Sequence, residues 1–332
     1  MINRRAFVAG ASAALVAAPN AIFAQLAPLP RVALIEQGDI TANMVEGGHP
    51  YWSALLSRLR ELGYVEGETI AIERWSGRGT TADGFAELSR RIVGTTPDLI
   101  VARGRNAIRN TRSATTEIPI VGLGTFPTDL QARLARPGGN TTGISASFGS
   151  ALYSKMVQIL HDAVPTASRF AIFGPREWWA RYEKTVQNAA MQLGITLVPV
   201  FVEEPVTEAT IRSAVGSIAG QEIHAVYISA SLDLYTHRDF LAAQIATTRL
   251  PAIAFQLEHA AAGQLISYAP DFIGSYRRLA TYVDRILKGA DPGELPIEQP
   301  TEIKLVVNLK TARALGVTLP PAIMIQATEI IE

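Results

Sequence analysis

Two series of short apolar runs, each alternating with helix-length amphipathic stretches, divide this chain, and the second series keeps the order of the first. The run RVALIE (31–36) is answered by RFAIFG (169–174), DLIVAR (98–103) by HAVYIS (224–229), and IPIVGLG (118–124) by LPAIAF (250–255). Gly63 and Gly194 stand at matching helix ends, and Pro119 and Pro251 at matching strand starts, with nearly constant spacing between the series. Such a shared order marks a duplicated architecture. Runs such as LIVA and PIVG do not alternate polar with apolar, which is the pattern of parallel strands covered by helices on both faces. The expectation is an α/β fold of two Rossmann-like lobes. A chain of 332 residues that is 48% apolar has enough material for two separate cores.

Local signals fill in the elements. A helix should start near His49-Pro50, since proline suits the first turn. Trp52, Leu55, Leu56, Leu59 and Leu62 then share one face, and Gly63 supplies the left-handed stop. Further helices are expected around 82–94, 105–115 and 233–247, with a strand at 69–75. Between the two series stands ARPGGNTTGIS (135–145), whose Pro137, Gly138 and Gly139 break both helix and sheet. It reads as the turn and crossover strand that carry the chain from lobe to lobe; the alternative is a surface loop inside one domain. A second crossing is expected in GQLISYAPDF (263–272) and a third in the proline-rich PGELPIEQPTE (292–302). The implied division is residues 31–143 with 264–290 in one lobe, and 144–263 with 296–332 in the other, the connectors acting as hinges.

The first 24 residues contain Arg4-Arg5, an alanine-rich apolar core and a small residue at Ala24, which describes an export signal; Arg4-Arg5 with Phe7 resembles the twin-arginine pattern. Cysteine is absent, so an exported chain of this kind folds without disulfides and is no lipoprotein. A soluble periplasmic protein without stable membrane insertion is the expectation. Basic and acidic residues balance at 30 each with no run of five like charges, which indicates no nucleic-acid partner.

The stretches LGYVEGETIAIE, ARPGGNTTGIS, LPAIAF, ISYAPDF and RILKGADPGELPIEQPTEIKLVVNLKTARALGVTLP, together with the export signal, resemble the periplasmic substrate-binding components of a class of ABC importers. The resemblance covers nearly all of residues 30–332. It implies a type I periplasmic-binding-protein fold, a small-molecule ligand in the interlobe cleft, and docking of the monomer to an ABC permease and its ATPase. Some members of the class bind tryptophan or other amino acids.

In open parallel sheets, ligands bind beyond the carboxyl ends of the strands. That rule selects Glu36, Gln37, Arg103, Gly104, Arg105, Thr125, Phe126, Gly174, Trp178, Trp179, Ser229, Ser231, Asp233 and Gln256. Arg103 and Arg105 flank a glycine at a helix start, where backbone N–H groups and guanidinium forks can meet a carboxylate; the alternative is an arginine turned to solvent or paired with a nearby acid. Trp178 and Trp179 offer a stacking platform or, alternatively, lobe packing. Asp233, opposite the arginines, holds the other end of a zwitterion or caps helix 233–247. Glu36 and Gln37 are ligand groups or a solvated turn. The combination leans toward an amino acid or carboxylate, with an aromatic body an open option.

Signals for enzymatic work are thin. GRGTTA (77–82) fits a phosphate loop only on paper, because it follows the second strand and its threonines suffice as helix caps. The five histidines show no metal-ligand spacing, and no GxSxG elbow is present, so no metal, cofactor or catalytic group is expected. Rival readings are a sensory protein of the same fold feeding a membrane kinase, and an exported α/β enzyme.

Overall fold

The computed structural model describes residues 28–36, 38, 40–146, 149–300 and 302–332. The export signal at 1–24 and Gln37 therefore lie outside the described residues. Two sheets organise the chain.

The first half runs β1 (Arg31–Glu36), α1 (Pro50–Glu61), β2 (Ala71–Ser76), α2 (Ala82–Gly94), β3 (Leu99–Arg103), α3 (Arg105–Ala114), β4 (Ile120–Gly124), α4 (Thr128–Gln131) and β5 (Thr141–Ser145). The second half continues with α5 (Ala151–Ala163), β6 (Arg169–Gly174), α6 (Arg176–Gln192), β7 (Thr196–Phe201), α7 (Glu208–Ser217), β8 (Ala225–Ile228), α8 (Leu232–Thr236), α9 (Arg238–Thr248), β9 (Ala252–Ala254), α10 (Glu258–Ala262) and β10 (Ile266–Pro270). The chain then returns through α11 (Phe272–Leu287) and β11 (Ile297–Glu298), and finishes with β12 (Ile303–Asn308), α12 (Leu309–Leu315), α13 (Pro321–Gln326) and β13 (Glu329–Ile331). One sheet has the order β11-β5-β4-β3-β1-β2 and the other β13-β12-β10-β9-β8-β6-β7. All pairings are parallel except that of β10 with β12.

The unbroken apolar runs have the predicted cause. Along β1, Val32 and Leu34 enter a core shared with α1 and α11, while Ala33 and Ile35 enter another on the opposite face with α2 and α3. β6 repeats this: Phe170 and Ile172 face one core, Ala171 and Phe173 the other. Successive strand residues point to opposite faces, so two covered faces demand apolar residues at every position. Each large side chain so buried contributes roughly 1.5–3 kcal/mol.

The crossings fall later than the sequence boundaries. β5 completes its pairing with β4 before the chain leaves for α5. The run 264–270, expected in the first lobe, instead forms β10 between β9 and β12 of the second sheet, and the chain crosses only after Pro270. Likewise 297–298, expected in the second lobe, pairs with β5 of the first sheet. Each strand is captured by the sheet it extends, and the boundary moves to the first residue without a ladder partner. The expected helix 233–247 is broken at His237 into α8 and α9.

The turn before β5 is tightly fitted. The side-chain Nδ2 of Asn140 donates to the carbonyls of Thr115 and Ile118, and Gly138 N donates to Gly293 O. Gly143, with φ of 135°, lies in register with Gly122 of β4, and a Cβ there would stand 2.0 Å from Gly122 O. Gly143→Ala should cost about 3 kcal/mol through backbone clash and positive φ. Thermal unfolding checks this; a fall of roughly 5 °C or more is expected.

Candidate functional site

Because both sheets are parallel through their centres, the carboxyl ends of their strands face a common space, a cleft of 640 Å³. The first lobe contributes Glu36, Arg78, Arg103 and Gly104; the second contributes Glu204, Ala230, Ser231, Asp233 and Gln256; Tyr51, Phe272 and Tyr276 supply aromatic surface.

Glu36 and Arg103 end neighbouring strands and are register partners, so their side chains emerge side by side. Arg103 Nη1 lies 2.5 Å from Glu36 Oε2, and Glu36 Oε1 accepts from Gly38 N at 2.9 Å. The pair is largely dry, with Glu36 3% and Arg103 16% exposed. Burial alone lowers the pKa of Arg103, but the Glu36 carboxylate, with Tyr276 and Tyr51, more than offsets this and raises it, so the guanidinium stays charged. Arg103 also sits 6.0 Å from the Tyr51 ring centroid. The carboxylate partner expected for Arg103 is thus already supplied by the chain, and any ligand acid reaching it must share the cation with Glu36.

Local structure sets the aromatic wall. The ring Nδ1 of His49 caps α1 by accepting from Tyr51 N, which fixes Tyr51 in the first turn. Its ring stacks on Tyr276 of α11 at 5.4 Å and on Tyr235 of α8 at 5.2 Å, and its hydroxyl donates to Glu258 of α10 at 3.5 Å. Phe272, the first residue after the second crossing, lies 5.6 Å from Tyr51. One tyrosine therefore joins both lobes at the back of the cleft.

On the other wall, Ser231 and not Asp233 caps the helix, its hydroxyl accepting from Leu234 N. Asp233 is left exposed to the cleft. Gln256 Nε2 donates to Ser231 O, while its Oε1, in a side chain only 7% exposed, has no hydrogen-bond partner among the described residues. An acceptor held in that way suits a ligand N–H.

Of the sequence candidates, Glu36, Arg103, Gly104, Ser231, Asp233 and Gln256 come together here. Arg105 and Thr125 line a separate, adjoining cavity. Others are not at the surface of either. Phe126, 2% exposed, packs into the core beside Gly122 and Ile108. Trp178 is buried against Tyr153 and Tyr227, and Trp179 lies half-buried on the same core, so the paired tryptophans serve packing and not stacking in the cleft. Ser229 is fully buried, and its hydroxyl fills the space a Cβ on Gly174 would need. Arg78 and Glu204 were missed although they follow β2 and β7 and obey the same strand-end rule. Tyr51 and Tyr276 were missed because they reach the cleft from helices, and the strand-end rule gives no signal for those.

The family is decided by a match along the chain. A family model described as "ABC transporter substrate binding protein" aligns with residues 49–331, from the cap of α1 to the last residue of β13. The chain belongs to this family. Among solved structures, a conserved domain protein from Vibrio cholerae O1 biovar El Tor is similar with a TM-score of 0.71 and 23% identity, over 90% of this chain and 99% of its own. An ABC domain from Streptococcus pneumonia, solved in complex with L-Trp, aligns with a TM-score of 0.69 and 20% identity, over 90% of this chain and 100% of its own. A tyrosine-binding protein of Clostridioides difficile is 21% identical over 272 residues, 78% of this chain and 74% of that protein. The fold is that of the type I periplasmic binding proteins, as the sequence implied. Among the described residues no helix is long and apolar enough to cross a membrane, and no cluster of His, Asp and Glu could hold a metal ion.

Two outcomes test this electrostatic account. Glu36→Leu strands a buried cation and should lower unfolding free energy by about 3 kcal/mol in denaturant titration, and adding Arg103→Met should recover most of the loss. Behind the cleft, His259 is fully buried and neither ring nitrogen has a partner among the described residues; burial first, and then the nearby Arg238 cation, hold its pKa at about 3. A neutral His259 thus contributes stability above pH 6.5 that is lost as pH falls toward 3. At pH 4 a His259→Leu variant should have lost roughly 3 kcal/mol less than the parent, relative to pH 7.

Proposed function

We propose that this chain is a periplasmic receptor that captures an amino acid, with an aromatic side chain favoured, in the interlobe cleft and delivers it to an ABC permease and its ATPase. The observation that carries the reading is the composition of the cleft. Both charge signs, a buried orphan acceptor on Gln256, and the edges of Tyr51, Tyr276 and Phe272 converge on one space between two lobes. The acids Glu36, Glu204 and Asp233 suit an ammonium group, Arg78 and the outer edge of Arg103 suit a carboxylate, and the aromatic wall suits a flat side chain. Tyrosine- and tryptophan-binding relatives support the same ligand class.

Capture would work by closure. In this reading the elements of the first sheet with α11 move as one body and those of the second sheet as the other, the three connectors between them turning about few backbone torsions. A ligand that touches both lobes binds the closed form better than the open one, and that difference alone moves the equilibrium. The permease would recognise the closed surface, and the N-terminal signal would deliver the monomer to the periplasm.

A thermal-shift screen of the amino acids tests the reading, with aromatic ones expected to raise the midpoint by mass action. Asp233→Asn, at an exposed position that leaves the fold intact, should weaken the best ligand at least tenfold. Solution scattering should show compaction at saturating ligand. No shift with any amino acid, or binding indifferent to Asp233→Asn, would count against it.

A further inference from the structure

Beside the main cleft, and sharing Ala146 with it, lies a second interlobe cavity of 380 Å³ whose electrostatics are opposite in sign. The main cleft includes three carboxylates. The second includes none: its charged lining groups are Arg105 from the first lobe and Arg181 from the second. Both arginines are exposed, and neither has an ion-pair partner among the described residues. Two guanidinium groups facing one narrowing space repel each other, and removing water from between them strengthens the repulsion. Closure of this side is opposed unless an anion stands between them.

The backbone reinforces the same sign. Arg105 opens α3, a helix of ten residues whose N-cap is Gly104 and which has no side-chain cap. Ser150, also in the lining, stands at the N-cap of α5, a helix of thirteen residues, and makes no capping hydrogen bond from its side chain. The positive dipole ends of two helices, one per lobe, thus point to the same space as the arginines. Thr125 also lines the cavity, and the rings of Tyr153 and Tyr182, 4.5 Å apart, form a wall.

We infer that this second cavity is an oxyanion subsite for a carboxylate, sulfonate or phosphate group, and that it extends the ligand site, so that the captured molecule bears an anionic group beyond the head held in the main cleft. The subsite stands on its own lining. Its assignment to the captured ligand rests on the function proposed above.

The test separates the two. The purified chain is titrated with inorganic phosphate at constant ionic strength, balanced with chloride, and the thermal midpoint is followed. A saturable rise is expected, weakened tenfold or more by Arg105→Gln and by Arg181→Gln, and unchanged by Arg90→Gln on the exposed face of α2. Both cavity arginines are exposed, so the unliganded midpoint should not move. A rise that never saturates, or one that neither cavity substitution weakens, overturns the subsite. O-phospho-L-tyrosine then identifies the source of the anion: binding at least tenfold tighter than phosphate assigns it to the captured ligand, and equal binding overturns that extension in favour of a free anion. Failure of L-tyrosine and the other amino acids to bind counts against the main-cleft reading and leaves the phosphate result standing.

Discussion

Three crossings of the chain between two parallel sheets are the constraint on which the rest of this molecule depends. Because β5, β10 and β11 each finish in one sheet before the chain enters the other lobe, neither lobe can be completed without its neighbour, and the carboxyl ends of both sheets are held facing one space. Parallel strands place all their exit loops at the same end, so every loop that leaves a central strand adds chemistry to that space. Gly143 shows how closely the connector is fitted: the first crossing strand approaches β4 so tightly that no side chain fits at that point.

The electrostatics of the cleft follow from register. Glu36 and Arg103 are neighbours across two strands, and their mutual attraction retains both charges in a nearly dry setting. Such a pair adds little net stability, since desolvation consumes most of the Coulomb gain, but removing either partner is costly. It presents a ligand with a balanced dipole instead of a bare cation. One cavity away, Arg105 and Arg181 stand with no carboxylate in the lining, so the interlobe space changes from acid-rich to basic along its length.

Aromatic contacts join the lobes behind this gradient. Tyr51 is fixed by the His49 cap on α1, yet it stacks on Tyr235 and hydrogen-bonds Glu258, both from the second lobe. Any opening that parts the lobes along this seam must slide or separate those rings. The buried, uncharged His259 lies against Tyr235 and ties this seam to pH.

The sequence by itself determined the two β/α series and their parallel character, because burial on both faces of a sheet leaves uninterrupted apolar runs and glycine and proline mark helix ends. It also located the strand ends that carry Glu36, Arg103, Ser231, Asp233 and Gln256. Tertiary structure alone decided which of those side chains face the cleft: a residue next to a strand end turns inward or outward by packing, as Phe126, Trp178 and Ser229 did by entering cores. It alone decided that Arg103 is already paired, since the partner lies 67 residues away in sequence and meets it only through strand register. Tyr51 and Tyr276 were illegible for the same reason. Each reads as an ordinary buried helix position until the crossing at Pro270 brings α11 against α1 and gives both rings one edge on the ligand space.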